Sequence, residues 1–396
     1  MKTNYLTAQS CWVSIPSREA DRQLSGNNLK MLLAILMLGL AGVRPANGQF
    51  TTNIVIPPGY VQVEGDVITT EAVAAELLGL KTGPQPQFTY APGRLWPNRV
   101  VPYDFDSGVT VLQQPVFVAA MAMWANSFPG VTTVTFQPRN GQDGYVHFVV
   151  ADPGLGDGTT DHIGYDGGTF SPNPVTITIR PSVFNGSHPA GLIAHEVGHA
   201  LGLWHEQSRD DRDNYITILY ANIQSGASDQ FNKQSPEAAF GPYDYLSIMH
   251  YSPCAFTICD GLNGRPSCTC TDSCVTLEAV PQYRNSAAPC HIGQTIQPTA
   301  MDNRGMAFLY APSDWRFLYP KGGSSASGSF EQPYLSVSQA AGGVPANGTL
   351  WIGPGSYAAA GQTISRPMTL KAALGDLQLQ PGGSIGPSSS GYATLR

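Results

Sequence analysis

The chain has 396 residues, a formal net charge of −7 and 12% charged residues, about half of the ~25% usual in globular domains. No long Lys/Arg run is present, so an electrostatic footprint for nucleic acid is missing. Hydrophobic residues make up 42%, enough for a sizeable core, while 43 Gly and 32 Pro favour a loop- and strand-rich extracellular chain over a cytosolic helical one. The length exceeds what one compact core usually holds and predicts one large domain with appended pieces.

From the N-terminus, residues 1–48 read as an extension and signal peptide. Leu32 to Ala41 is an apolar run of ten residues preceded by Lys30 and followed by small residues. That is too short for a bilayer span, which needs about 20 residues, and it suits a signal-peptide core. No integral membrane span is expected in the mature form. Residues 49–94 read as a propeptide, with a helix over Thr70–Leu80 and a Pro/Gly-rich stretch from Thr82 to Gln87.

A catalytic domain is expected over 95–312. It opens on a strand at Val100–Phe105. Gln114–Phe128 has helical spacing, Val131–Gln137 and Gly144–Val150 alternate like strands, and Val175–Ile179 is a further strand. Pro189–Leu201 reads as a helix with Ser187 as a cap just before it, and Thr299–Leu309 as a later helix. Residues 313–396 read as a Gly/Ser-rich linker around Gly322–Ser329 and a β-rich, partly disordered tail whose short strands resemble the first coils of a parallel β-helix.

Six of the seven Cys lie between Cys254 and Cys290; Cys11 stands alone near the start. In a secreted chain, six clustered Cys predict up to three disulfides. The spacing of Cys268, Cys270 and Cys274 does not supply the paired C-x₂-C of common structural zinc sites. Asn185-Gly-Ser187 and Asn347-Gly-Thr349 are glycosylation sequons.

The chemistry concentrates in His195-Glu-Val-Gly-His199-Ala-Leu-Gly202-Leu-Trp-His205-Glu206. His195 and His199 are four apart, so a helix presents both from one face. Gly202 tolerates the left-handed backbone needed to end the helix and turn the chain back, which lets His205 reach the same point. Three neutral imidazoles with an open fourth position suit one catalytic Zn2+. Glu196, next to His195, is placed to act as general base on a zinc-activated water. A bare H-E-x-x-H is a moderate signal; the form continued through Gly202 and His205 is strong.

With those residues, the sequence resembles the astacin family of metzincin zinc endopeptidases. The match continues through His205-Glu-Gln-Ser-Arg-Asp-Asp-Arg-Asp213 and through Tyr243-Asp-Tyr-Leu-Ser-Ile-Met-His-Tyr251, which resembles the family's Met-turn. The resemblance implies an α+β fold: two subdomains flanking a cleft, with a mixed sheet and a long zinc-binding helix. It further implies Met249 as a floor beneath the metal, and Tyr251 as a resting-state ligand that swings away to donate to the transition-state oxyanion. Glu206 would contact the new N-terminus after activation, with a surface carboxylate as the alternative. Val63-Glu-Gly-Asp66 resembles the family's latency motif, with Asp66 as the zinc ligand of the latent form. The implied function is a secreted, extracellular zymogen that cleaves proteins or peptides and is released by an activating protease. The alternatives are a catalytically inactive binding module on the same fold and a serralysin-like metzincin. The disulfides depart from the family's usual arrangement, because no Cys lies between Leu95 and Ala194.

Overall fold

The computed structural model describes residues 60–63, 67–70, 88–90 and 93–395. Within the last range, 126–127, 154–156, 162, 166–173, 234–237, 260–267, 270–272, 284–291, 320–325, 354–356, 359–363, 374–376, 381–383 and 388–392 are left out. Asp66, Cys11 and nearly all of the helix expected at Thr70–Leu80 lie outside the described residues. Thr70 itself closes a hairpin, β1 (Tyr60–Val63) against β2 (Val67–Thr70).

The chain then runs through β3 (Phe88–Tyr90), β4 (Val100–Phe105), helix α1 (Gln114–Ala125), β5 (Thr135–Pro138), β6 (Val146–Val150), β7 (Gly158–Thr160), β8 (Val175–Ile179) and helix α2 (Pro189–Ala200). These build a five-stranded sheet in the order β5-β4-β6-β8-β7. Four strands are parallel and β7 is an antiparallel edge. The alternation in Val175-Thr-Ile-Thr-Ile179 is visible in burial: Val175, Ile177 and Ile179 face inward. Phe117, Met121 and Trp124 of α1 and Ile193, Ala194 and Val197 of α2 share one cluster with Val101, Phe148, Ile177 and Ile179. The sheet therefore rests on two helices, of which α2 is the one that carries the histidines.

Three expectations need adjusting. Helix α1 ends at Ala125 and not at Phe128, which instead bridges Val131. The strand expected from Val131 begins at Thr135. Ser187 is not the cap of α2: His188 occupies that position, no side chain caps it, and Pro189 opens the helix. Pro at the first helical position needs no donor, and Ser187 Oγ bonds His188 Nδ1 at 2.9 Å instead.

Beyond α2, short strands dominate: β9 (Ile216–Ile218), β10 (Ala238–Phe240), which pairs with β3, and β11 (Leu277–Ala279), which pairs with β9. Their own cluster contains Ile216, Phe231, Tyr243, Tyr245 and Leu277. Disulfides Cys254–Cys268 and Cys259–Cys274 staple this region; Cys270 and Cys290 lie outside the described residues. Helix α3 (Ala300–Leu309) starts at a capping box of Thr299 and Asp302.

The C-terminal extension contributes β12 (Trp315–Leu318), helix α4 (Val337–Gly343), β13 (Thr349–Ile352), β14 (Tyr357–Ala358), β15 (Met368–Ala372), β16 (Leu377–Gln380), β17 (Ser384–Pro387) and β18 (Ala393–Leu395). β12, β13 and β15 stack in parallel, with Trp315 opposite Thr349 and Thr349 opposite Thr369. This is the coil-on-coil pairing expected of a β-helix start. So few coils cannot bury a core alone, and they share one. Phe308 of α3 lies 5.2, 5.7 and 5.0 Å, ring centroid to centroid, from Phe317, Phe330 and Trp351. The stretch read as a flexible linker is therefore built into the fold at its described end. Gly328 N–H donates to Gln332 O, and Phe330 is buried.

Candidate metal centre

Helix α2 brings His195 and His199 to one face, with ring centroids 4.8 Å apart. Gly198 sits between them because nothing larger fits: a Cβ there would lie 2.6 Å from Met249 Sδ and 3.2 Å from Trp124. The helix stops where Gly202 takes φ +104, a left-handed value that favours glycine. Its last carbonyls are satisfied from outside. Trp96 Nε1 donates to Ala200 O at 2.7 Å and the Tyr310 hydroxyl to Leu201 O at 2.9 Å. The chain turns back and delivers His205 to the pair.

The three Nε2 atoms converge: His199 to His205 is 3.1 Å and His205 to His195 is 3.3 Å. The opposite nitrogens are already committed. His195 Nδ1 donates to Ile248 O at 2.6 Å and His199 Nδ1 to Leu203 O at 2.8 Å. A neutral imidazole that donates through Nδ1 offers only a lone pair at Nε2. Burial pushes His199 down to about 3, and His195 adds to the effect, against the bond to Leu203. Burial also pushes His205 well down, followed by the effects of His199 and His195. Crowded lone pairs that do not take up protons at neutral pH repel one another, and a cation relieves that. The donor set, all imidazole and each fixed by a carbonyl where the bond is described, fits a zinc site.

Glu196 is buried beside this cluster. Edge strand β7 holds it: the Thr160 hydroxyl lies 2.7 Å from Glu196 Oε2 and 3.0 Å from its backbone carbonyl. A Cβ at Gly158 would sit 2.8 Å from Glu196 Oε1. Burial raises the Glu196 carboxyl above its ordinary value, against the lowering effects of His195 and Thr160.

Met249 is buried under α2, and the turn around it is the organiser of the site's other wall. Ile248 O accepts from His195, and Met249 O accepts from Glu206 N at 3.0 Å. Asp302 at the start of α3 fixes the turn by accepting from Ser247 Oγ at 2.6 Å and from Ile248 N at 2.9 Å. The Tyr251 ring lies 4.3 Å from that of His205, and its backbone N–H donates to Gln207 Oε1. Glu206 is not a surface carboxylate: it is 2% exposed, and its Oε1 accepts from Arg209 at 2.8 Å and from the Asp244 N–H at 2.9 Å.

All of the expected site residues except Asp66 thus come together around one point. Sequence reading missed Thr160, Gly158, Asp302, Trp96 and Tyr310. None belongs to a spacing motif, and Ile248 and Leu203 act through carbonyls that no residue type announces.

A helix-borne histidine pair, a third histidine after a glycine turn, an adjacent buried carboxylate and a methionine floor, all on an α+β frame, define a metzincin-type zinc site. Residues 88–265 match the family model described as Astacin, a peptidase family, and this region of the chain is an astacin-type domain. Among curated relatives, Bone morphogenetic protein 1 of Xenopus laevis is 34% identical over 172 residues, covering 43% of this chain and 22% of that protein. Zinc metalloproteinase nas-4 of Caenorhabditis elegans is 35% identical over 167 residues, covering 41% and 48%. The chain spans less than half the length of either relative. Among solved structures, High choriolytic enzyme 1, a hatching enzyme zinc-protease from Oryzias latipes, aligns with TM-score 0.41 and 26% identity over 56% of this chain and 96% of that one.

Proposed function

We propose that the chain is a secreted zinc-dependent endopeptidase, made as a latent zymogen, that hydrolyses peptide bonds in proteins. The observation that carries this reading is the convergence of the three Nε2 atoms beside a buried carboxylate held by Thr160. Zinc, when bound, supplies Lewis-acid polarisation of the scissile carbonyl and acidifies water.

The chain's own residues do the rest. Glu196 takes the proton of the attacking water and returns it to the leaving amine. Its raised proton affinity makes it a better base than an exposed carboxylate, and the Thr160 bond fixes the oxygen that faces away from the reacting water. Tyr251, beside His205, is the donor for the oxyanion and a ligand at rest. Asp66 is the ligand of the latent form, released by an activating protease. Two disulfides fit an oxidising compartment, and no helix of the described residues is long and apolar enough to cross a membrane.

The catalytic domain starts earlier than the 95–312 boundary expected from the sequence. Tyr90 is buried in the main core and the family match begins at residue 88. On this reading residues 88–94 stay with the mature domain, and the propeptide ends near Gln87.

A casein digest by propeptide-free protein tests the reading. Cleavage is expected to stop with a zinc chelator and to return with added zinc. Glu196→Ala is expected to retain zinc and lose cleavage by about 10²–10⁴-fold. Digestion that ignores the chelator, or survives Glu196→Ala, overturns it.

A further inference from the structure

The carbonyl that orients His199 belongs to Leu203, and Leu203 is itself held from afar. It forms an antiparallel bridge with Tyr90. Tyr90 belongs to β3, a strand of only three residues paired with β10. So short a strand needs anchoring by its side chains and flanks, and the C-terminal extension supplies both. The Tyr90 ring is buried 5.9 Å from that of Phe330. The next residue, Glu331, accepts from the Gly93 N–H through Oε1 at 2.7 Å, at a turn where Gly93 has φ +73. Phe330 is in turn wedged against Phe308 and Phe317, so the pair is presented from a rigid wall.

We propose that Phe330 and Glu331 are positioning residues for the metal centre. They fasten the segment from Tyr90 to Gly93 onto the domain, and through the Tyr90–Leu203 bridge they hold the carbonyl that orients the His199 imidazole. The proposal rests on the reading of the three histidines as a zinc site. Both residues lie outside the family match, which ends at residue 265. The extension is on this account part of the ligand support and not a separate appendage. Outer hydrogen bonds to metal-ligating histidines are worth about 10–100-fold in metal affinity, so loosening the carbonyl has a measurable consequence.

The test is the rate of zinc release from the full chain to excess chelator, read beside thermal unfolding. Phe330→Ala is expected to speed release about tenfold, the low end of that range. Phe330→Leu serves if the alanine variant does not fold, with the same direction of effect. Glu331→Ala is expected to speed release severalfold, whereas Glu331→Gln, which keeps an oxygen acceptor for Gly93, stays close to wild type. Leu370→Ala, in the extension's own cluster, lowers Tm without changing release. Equal release by Leu370→Ala and the Phe330 variants at matched loss of Tm overturns the proposal, as does wild-type release by Glu331→Ala. A wild-type chain that takes up no zinc overturns the metal reading itself and the latch with it, an outcome distinct from either.

Discussion

The stretch from His188 to Glu206 and the extension from Trp315 to Ala373 sit at opposite extremes of how structure is written in sequence. In the first, function is encoded by offsets along one helix and one turn. His195, Glu196, His199, Gly202 and His205 need only 3.6-residue periodicity and a left-handed glycine to converge. In the second, the residues are short strands between glycines, and what matters is a partner far away in sequence. Phe317, Phe330 and Trp351 become a core only because Phe308 of α3 lies among them. Local spacing is self-sufficient as evidence, whereas shared burial is not visible until the partner is placed. The extension is bound into the molecule as firmly as the site it was expected to trail behind.

That contrast is open to measurement. Trp351→Ala removes a ring that packs on Trp315 and Phe308 and is expected to cost about 3–5 kcal/mol. Denaturant unfolding checks this; a cost near zero, or loss of the extension alone with the catalytic domain still folded, would restore the picture of a loosely tethered tail. Gly198→Ala, inside the motif helix, is expected to cost about 1–3 kcal/mol. Its Cβ meets Met249 and Trp124 and not solvent, so a neutral effect would show the floor to be soft. It is also expected to weaken zinc binding, since Gly198 lies between two ligands.

The smallest effect concerns the support behind the site. Burial, and then the neighbouring Asp302 charge, push Asp244 up to about 7, against its bonds from Thr299 and Leu246. Its unfolded value is near 3.8. Between those values the folded chain holds a proton that the unfolded chain has released. This group's contribution to stability therefore falls as pH rises from about 4 to about 7 and is flat above. Asp244→Asn is expected to remove that component. Its Tm relative to wild type should rise across this window, and a pH-independent difference would count against the assignment.

Much of the frame was legible. Val175–Ile179 and the helix of the motif fall where periodicity puts them, because each buries a face of its own sheet or helix. Ends were less so. Helix α1 stops short of Phe128, and α2 takes an uncapped start at His188, because proline and tertiary packing override local capping preferences. The boundary at residue 95 missed Tyr90, whose burial depends on Phe330, some 240 residues away. At the site, ligands and base were readable, since metal chemistry constrains residue type and spacing. The supports were not. Thr160 reaches Glu196 only because β7 is an antiparallel edge beside α2, and Asp302 reaches the turn at Met249 only because α3 begins there.

The central claim is that His195, His199 and His205 form one metal centre. Metal analysis of the purified full chain, with and without His205→Ala, tests it most directly. One zinc per chain is predicted for the wild type, with zinc lost on His205→Ala while both disulfides remain. Zinc that survives His205→Ala, or a folded wild-type chain that holds none after exposure to zinc, would contradict it.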